Sequence, residues 1–159
     1  TQLSRVNTSV LGEKLMFNYQ KDNFNASCSG NLSWRHSTSN RANFETLNTY
    51  DFDYGVTLSC RLPLDITLAT DLRQYSRRGY GEHSINTDDL VWNASLSRSF
   101  AKGKWVLKAD VFDLLHQLSN TTYTVNAQGR TEVWHNTIPS YGMLQLSYKF
   151  NKMPKGKKK

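Results

Sequence analysis

Side chains able to do chemistry are few and scattered in this chain. His116 lies three residues from Asp113 and His83 sits beside Glu82, the nearest approaches to an acid–base pair. No serine stands in a strained nucleophile elbow and no carboxylates converge, so no catalytic residue is assigned and no enzyme activity is expected. The cysteines, Cys28 and Cys60, form no CxxC motif, and His36, His83, His116 and His135 are spread along the sequence. Neither set has metal-ligand spacing, so neither a metal nor a cofactor is expected. Binding chemistry remains. In "YSRRGYG", Arg77 and Arg78 flanked by Tyr75 and Tyr80 could hold an anionic or sugar ligand by charge-assisted hydrogen bonds and ring stacking, and the same stretch also reads as a plain solvated loop. Asp71, Arg73, Lys108 and Asp110 alternate with apolar residues, the pattern of charges that pair between neighbouring strands.

Something must position these groups, and length and composition bound what it is. The 159 residues suffice for one folding unit. The net charge of +7 invites a nucleic-acid reading, but Lys152, Lys155, Lys157, Lys158 and Lys159 crowd the end and leave the remainder nearly balanced. No arginine-rich helix or stacking motif accompanies them, so no nucleic-acid partner is expected. Residues 151–159 read as a basic, disordered tail. The opening "TQLSRVNTSV" lacks the basic region and apolar core of a secretory signal, as expected if such a signal was removed or if the chain is an internal slice. Mean hydropathy is -0.62, and no stretch approaches the roughly 20 apolar residues of a membrane helix. That average is blind to a membrane barrel, whose strands need only about 9–11 residues with every second one apolar.

The period of the sequence is two. From Tyr50 to Leu62 the apolar residues Tyr50, Phe52, Tyr54, Val56, Leu58, Cys60 and Leu62 alternate with Asp51, Asp53, Gly55, Thr57, Ser59 and Arg61, which no helix tolerates. After "LPLD", Leu64, Ile66, Leu68 and Leu72 share a face opposite Thr67, Ala69, Asp71, Arg73 and Tyr75, and the two segments read as a hairpin. Leu11 to Tyr19 and Phe24 to Trp34 repeat the design around "QKDN", with Glu13 as an exception. Leu90 to Phe100 and Trp105 to Val111 repeat it around "AKGK", and Tyr141 to Phe150 closes the series. Seven strands and no helix are predicted, with Cys28 and Cys60 on one apolar face, where a cross-strand disulfide is open until the register is known.

Connections alternate strictly between short (20–23, 62–65, 101–104) and long, polar ones (37–48, 75–88, 114–131). Outer-membrane barrels have short turns at one end and long loops at the other, although a soluble up-and-down barrel could do the same. In the membrane case Leu58, Leu68, Leu96, Leu107, Leu144 and Leu146 face lipid. Asp71, Arg73, Tyr75, Arg77, Arg78, Lys108 and Asp110 then face the lumen or its mouth. Aromatic residues favour the membrane: Tyr19, Phe24, Phe100, Trp105, Tyr148 and Phe150 flank the short turns, and Trp34, Tyr50, Phe52 and Trp92 lie toward the long loops, as two girdles at two interfaces would. Trp105, Tyr148 and Phe150 are the expected interface anchors. The fold class predicted is therefore all-β, an antiparallel transmembrane β-barrel meander of about seven strands.

The segments "YDFDYGVTLSCRLPLDITLATDLRQYSRRGYG", "LVWNASLSRSFAKGKWVLKADVFDLLHQ" and "YGMLQLSYKF" resemble the C-terminal barrel strands of outer-membrane β-barrel proteins related to TonB-dependent receptors, over about residues 11–150. The resemblance implies residence in the outer membrane of a Gram-negative bacterium, with residues 1–150 as the C-terminal portion of a larger barrel. It implies uptake of a bulky nutrient (a metal chelate, cofactor or glycan), and as partners outer-membrane lipid, the barrel-assembly machinery that reads a terminal aromatic such as Phe150, and a TonB-type energy-coupling complex acting through a region this chain does not show. Two other readings stand beside it: a soluble barrel binding a small apolar ligand, and a structural or adhesion barrel without transport.

Overall fold

A computed structural model describes residues 5–40, 45–81, 83–126, 129–136 and 138–150. The tail at 151–159 and Glu82, the neighbour proposed for His83, lie outside the described residues. The alternating segments form strands because their β-branched and aromatic side chains fit a pleated surface with one apolar face. These strands are β1 (Val6–Lys21), β2 (Phe24–Ser39), β3 (Leu47–Leu62), β4 (Ile66–Arg78), β5 (Asp88–Phe100), β6 (Trp105–Phe112), β7 (Thr121–Asn126), β8 (Gly129–Trp134) and β9 (Tyr141–Tyr148). Seven of them form one antiparallel sheet in the order β1-β2-β3-β4-β5-β6-β9, which is the expected meander. β7 and β8 pair only with each other. Part of the long, polar connection expected at 114–131 belongs to this hairpin, whose residues lack the long two-residue alternation of a half-buried strand.

Several boundaries also differ. β4 runs on through Arg77 and Arg78, within the span 75–88 expected as a long connection. Leu64 is not part of a strand: it and Asp65 adopt left-handed backbone (φ 66° and 55°) in the turn between β3 and β4. Cys28 pairs with Val56 in register while Cys60 pairs with Phe24, four residues along, and both thiols are free, so the open question of a disulfide is answered in the negative.

The register is staggered. A line perpendicular to the strands runs through Lys21, Phe24, Cys60, Leu68, Leu96, Ala109 and Leu144. The last pairs before the three short turns are Lys21↔Phe24, Leu62↔Ile66 and Phe100↔Trp105, so each turn lies two residues further below that line, along the strands, than the one before. Four residues of drift, about 13 Å, over four strand spacings, about 19 Å, places turns in one plane only when the strands tilt by about 35°. That tilt is what barrel closure requires.

Packing explains which face is which. Among the described residues only Tyr80, Ile85 and Val91 are buried hydrophobics, so those residues form no conventional core. The alternating apolar side chains share one face and stay exposed, Leu96 at 50% and Leu144 at 74%. A sheet in water would cover such a face, because a contiguous apolar surface of this extent is unfavourable there. The side chains flanking the short turns form the aromatic cluster expected of them, with Tyr19 and Phe24 6.4 Å apart and Trp105 and Tyr148 4.5 Å apart, ring centre to ring centre. Phe150 stands 6.2 Å from Tyr148.

Candidate functional site

The other face of the sheet is polar and internally bonded. Across β3 and β4, the Thr57 hydroxyl donates to the Asp71 carboxylate at 2.7 Å. One row up, Gly55 sits between Ser29 and Arg73 in register. Having no side chain, it lets the Arg73 guanidinium lie across β3 toward two strands at once, reaching Asp53 at 3.1 Å and Ser29 Oγ at 3.4 Å. A Cβ on Gly55 would stand 2.9 Å from the Leu72 carbonyl oxygen and 3.3 Å from Arg73 Cβ and Cγ, so this close approach requires glycine. Asn31 Nδ2 donates to the second Asp53 oxygen at 3.2 Å.

Toward the long loops, two connections fold back onto this face. Between β4 and β5, Tyr80 donates its hydroxyl to both Asp51 oxygens at 2.9 Å, and its backbone is held at both ends by the Asn86 amide. Burial first, and the bond to the Asp51 carboxylate second, push the Tyr80 phenol above its ordinary pKa, since both penalise a phenolate there. Arg77 ion-pairs with Asp51 at 3.5 Å and lies over the Tyr80 ring at 5.6 Å. After β6, Asp113 adopts left-handed backbone (φ 47°) and is almost fully buried. Its N–H donates to Asn93 Oδ1 at 2.9 Å, and its carboxylate accepts the N–H groups of Gln117 and Leu118 at 3.2 and 3.0 Å. These bonds turn the chain inward, so that Leu118, Ser119 and Thr121 roof a cavity of about 320 Å³. Its wall includes Asn31, Asp51, Asp53, Tyr75, Arg77 and Asp89. The size lies at the lower end of small-ligand sites.

A sheet with an uncovered apolar face, a bonded polar face carrying a cavity, and barrel-like stagger is now in view. The family model described as "Outer membrane protein beta-barrel family" matches residues 6–148, nearly the whole chain. The chain belongs to that outer-membrane β-barrel family. Membership places it in the outer membrane of Gram-negative bacteria. No curated protein and no solved structure matches it.

Within this barrel sheet, the residues singled out from the sequence separate into groups. Leu58, Leu68, Leu96, Leu107, Leu144 and Leu146 all lie on the exposed apolar face. Arg73, Tyr75 and Arg77 gather at or beside the cavity, and Asp71 lies one row below Arg73. Arg78 does not join them, which corrects its expected placement. One residue beyond Arg77, it points to the apolar face, where it bonds Asp88 at 2.6 Å and lies 5.9 Å from the Phe52 ring centre. Lys108 and Asp110 also stand apart, paired with each other at 2.8 Å on β6.

His116 and Asp113 do not form an acid–base pair through their side chains. The His116 N–H donates to the Asp113 backbone oxygen, while the carboxylate is taken by the loop amides. Asp89 and Asn93 were passed over in the sequence. Extending the β5 alternation one residue before Leu90 would have put Asp89 on the polar face.

Proposed function

We propose that this chain is the C-terminal barrel portion of an outer-membrane receptor that takes up a bulky nutrient, such as a metal chelate, cofactor or glycan, with TonB-type energy coupling. The observation that carries this reading is the pairing of an uncovered apolar face with a polar face holding a loop-roofed cavity: the first suits lipid, and the second suits a solute path. Leu58, Leu68, Leu96, Leu107, Leu144 and Leu146 then contact lipid, while Asp71, Arg73, Tyr75, Arg77, Lys108 and Asp110 line the lumen. Trp105, Tyr148 and Phe150 anchor the short-turn end at the interface, where an aromatic ring is favoured, and Phe150 is the group offered to the barrel-assembly machinery.

Strand parity supports a larger barrel. In a seven-stranded antiparallel meander the first and last strands point the same way, so β1 and β9 would meet in parallel. An odd number of further strands between them restores antiparallel closure and removes both open edges. Energy coupling would act through a region outside this segment.

The test is the mass of the native protein in isolated outer membranes, detected with an antibody against residues 79–87, followed by co-purification with the periplasmic part of the coupling complex. A folded, heat-modifiable band several times the 18.3 kDa of this chain, retained by the coupling protein, is the expected result. A band near 18.3 kDa overturns the larger barrel, and a full-size band that the coupling protein never retains overturns the coupling.

A further inference from the structure

Arg77 and Arg78, with Tyr75 and Tyr80, read in the sequence either as holders of an anionic or sugar ligand or as a plain solvated loop, and the bonds around the cavity leave no arginine free for an anion there. Arg73 is committed to Asp53 at 3.1 Å, and Arg77 to Asp51 at 3.5 Å. Asp53 also accepts from Asn31, and Asp51 from Tyr80. The cavity wall thus presents three carboxylates, Asp51, Asp53 and Asp89, and one guanidinium, that of Arg77, while Arg73 stands beside the wall on Asp53. Arg77 attracts the Asp89 carboxylate through space, but its ion pair is with Asp51, and no hydrogen bond or ion pair joins the Asp89 carboxylate to a described residue. Asp89 is also the register partner of Tyr75, whose side chain is 42% exposed within the same cavity. Directly opposed residues on one face of an antiparallel pair bring their side chains within reach of a common ligand.

From these positions we infer that the cavity roofed by Leu118 and Ser119 binds an organic cation, an amine or guanidinium group, with Asp89 as its counter-ion and the Tyr75 ring as its stacking surface. A cation satisfies the one carboxylate left over and gains from the ring's electron-rich face. An anion would instead have to displace Asp51 or Asp53 from its arginine. A neutral sugar could stack on Tyr75 but would leave the surplus charge unanswered. The volume, about 320 Å³, admits one such group or the tip of a larger solute. The inference rests on the receptor reading and assigns its site a substrate class, a solute bearing a cationic group.

The test is titration calorimetry on the intact native protein purified in detergent, its fold checked by heat-modifiable migration, with agmatine as cationic probe and glucose as neutral probe. Agmatine is expected to bind at least ten times more tightly than glucose. Asp89→Asn should weaken agmatine about ten-fold or more; Tyr75→Ala should weaken it several-fold, whereas Tyr75→Phe, which keeps the ring, should restore it. Equal binding of the two probes, or agmatine affinity unchanged in a folded Asp89→Asn protein, overturns the inference. A folded outer-membrane protein that binds neither probe refutes the cation site and leaves the receptor reading standing. Failure of the native protein to fractionate with the outer membrane would strike the receptor reading itself.

Discussion

Replacing Leu96 by arginine tests the orientation of the sheet and its tilt together. Leu96 lies four residues from Phe100, the last residue before the β5–β6 turn. With about 3.3 Å per residue and a tilt of about 35°, that puts it about 11 Å above the aromatic ring at the turn. The apolar band of an outer-membrane barrel is about 25 Å tall, so Leu96 sits near its middle, where arginine costs roughly 2–4 kcal/mol. Leu68 pairs with Leu96 but is only two residues above Ile66 at its own turn. With strands about 4.8 Å apart and tilted by about 35°, it lies about 3 Å nearer the short-turn interface than Leu96, and arginine there should cost less, roughly 1–3 kcal/mol. Ser95→Arg, on the polar face and in register with Asp110, serves as the control: it gives up the Ser95 bond to Asp110 but puts no charge in lipid, so it should cost less than either. Urea titration of the intact protein folded into liposomes measures all three. The order Leu96→Arg, Leu68→Arg, Ser95→Arg from most to least destabilised is expected. A Leu96→Arg protein as stable as Ser95→Arg would refute the assignment of the apolar face to lipid, and equal costs at Leu96 and Leu68 would refute the tilt.

Other consequences of the bonded polar face are open to measurement. Gly79 has a φ of 80°, and a Cβ there would collide with the Asn48 carbonyl, so Gly79→Ala should lower stability by roughly 1–3 kcal/mol in the same titration. Asp113→Ala removes the acceptor of the Gln117 and Leu118 amides and should speed hydrogen exchange at residues 114–121 well beyond the change at β5, while Asp113→Asn, which tolerates left-handed backbone and keeps one acceptor, should do so less. The Tyr80 phenol holds its proton more tightly in the folded chain than in the unfolded one. Its stabilisation is therefore complete below the ordinary tyrosine pKa of about 10 and is lost as pH climbs through the raised folded value. Ultraviolet titration should show one late-titrating tyrosine that disappears in Tyr80→Phe; an unchanged titration curve would contradict the burial argument.

Strand content, strand order and the division into two faces were legible in the sequence because a two-residue period is a local property: each side chain's face follows from its neighbour's. The same rule misled where it was stopped early, as at Asp89, not carried through, as at Arg78, whose parity sets it opposite Arg77, or carried into a turn, as at Leu64. Hairpin β7–β8 was hidden because its two strands are only six residues each and carry no long alternation to read. Stagger, the free state of Cys28 and Cys60, and the tilt depend on the register, which adjacent turns fix and no single strand encodes. The cavity depended most on tertiary structure. Asp113 and Tyr80 lie in connections, and only their bonds to Asn93 and Asp51, on strands distant in sequence, bring the roof over Tyr75 and Asp89. Local chemistry thus determined which side chains face the same way, while long-range bonds alone decided which of them share a site.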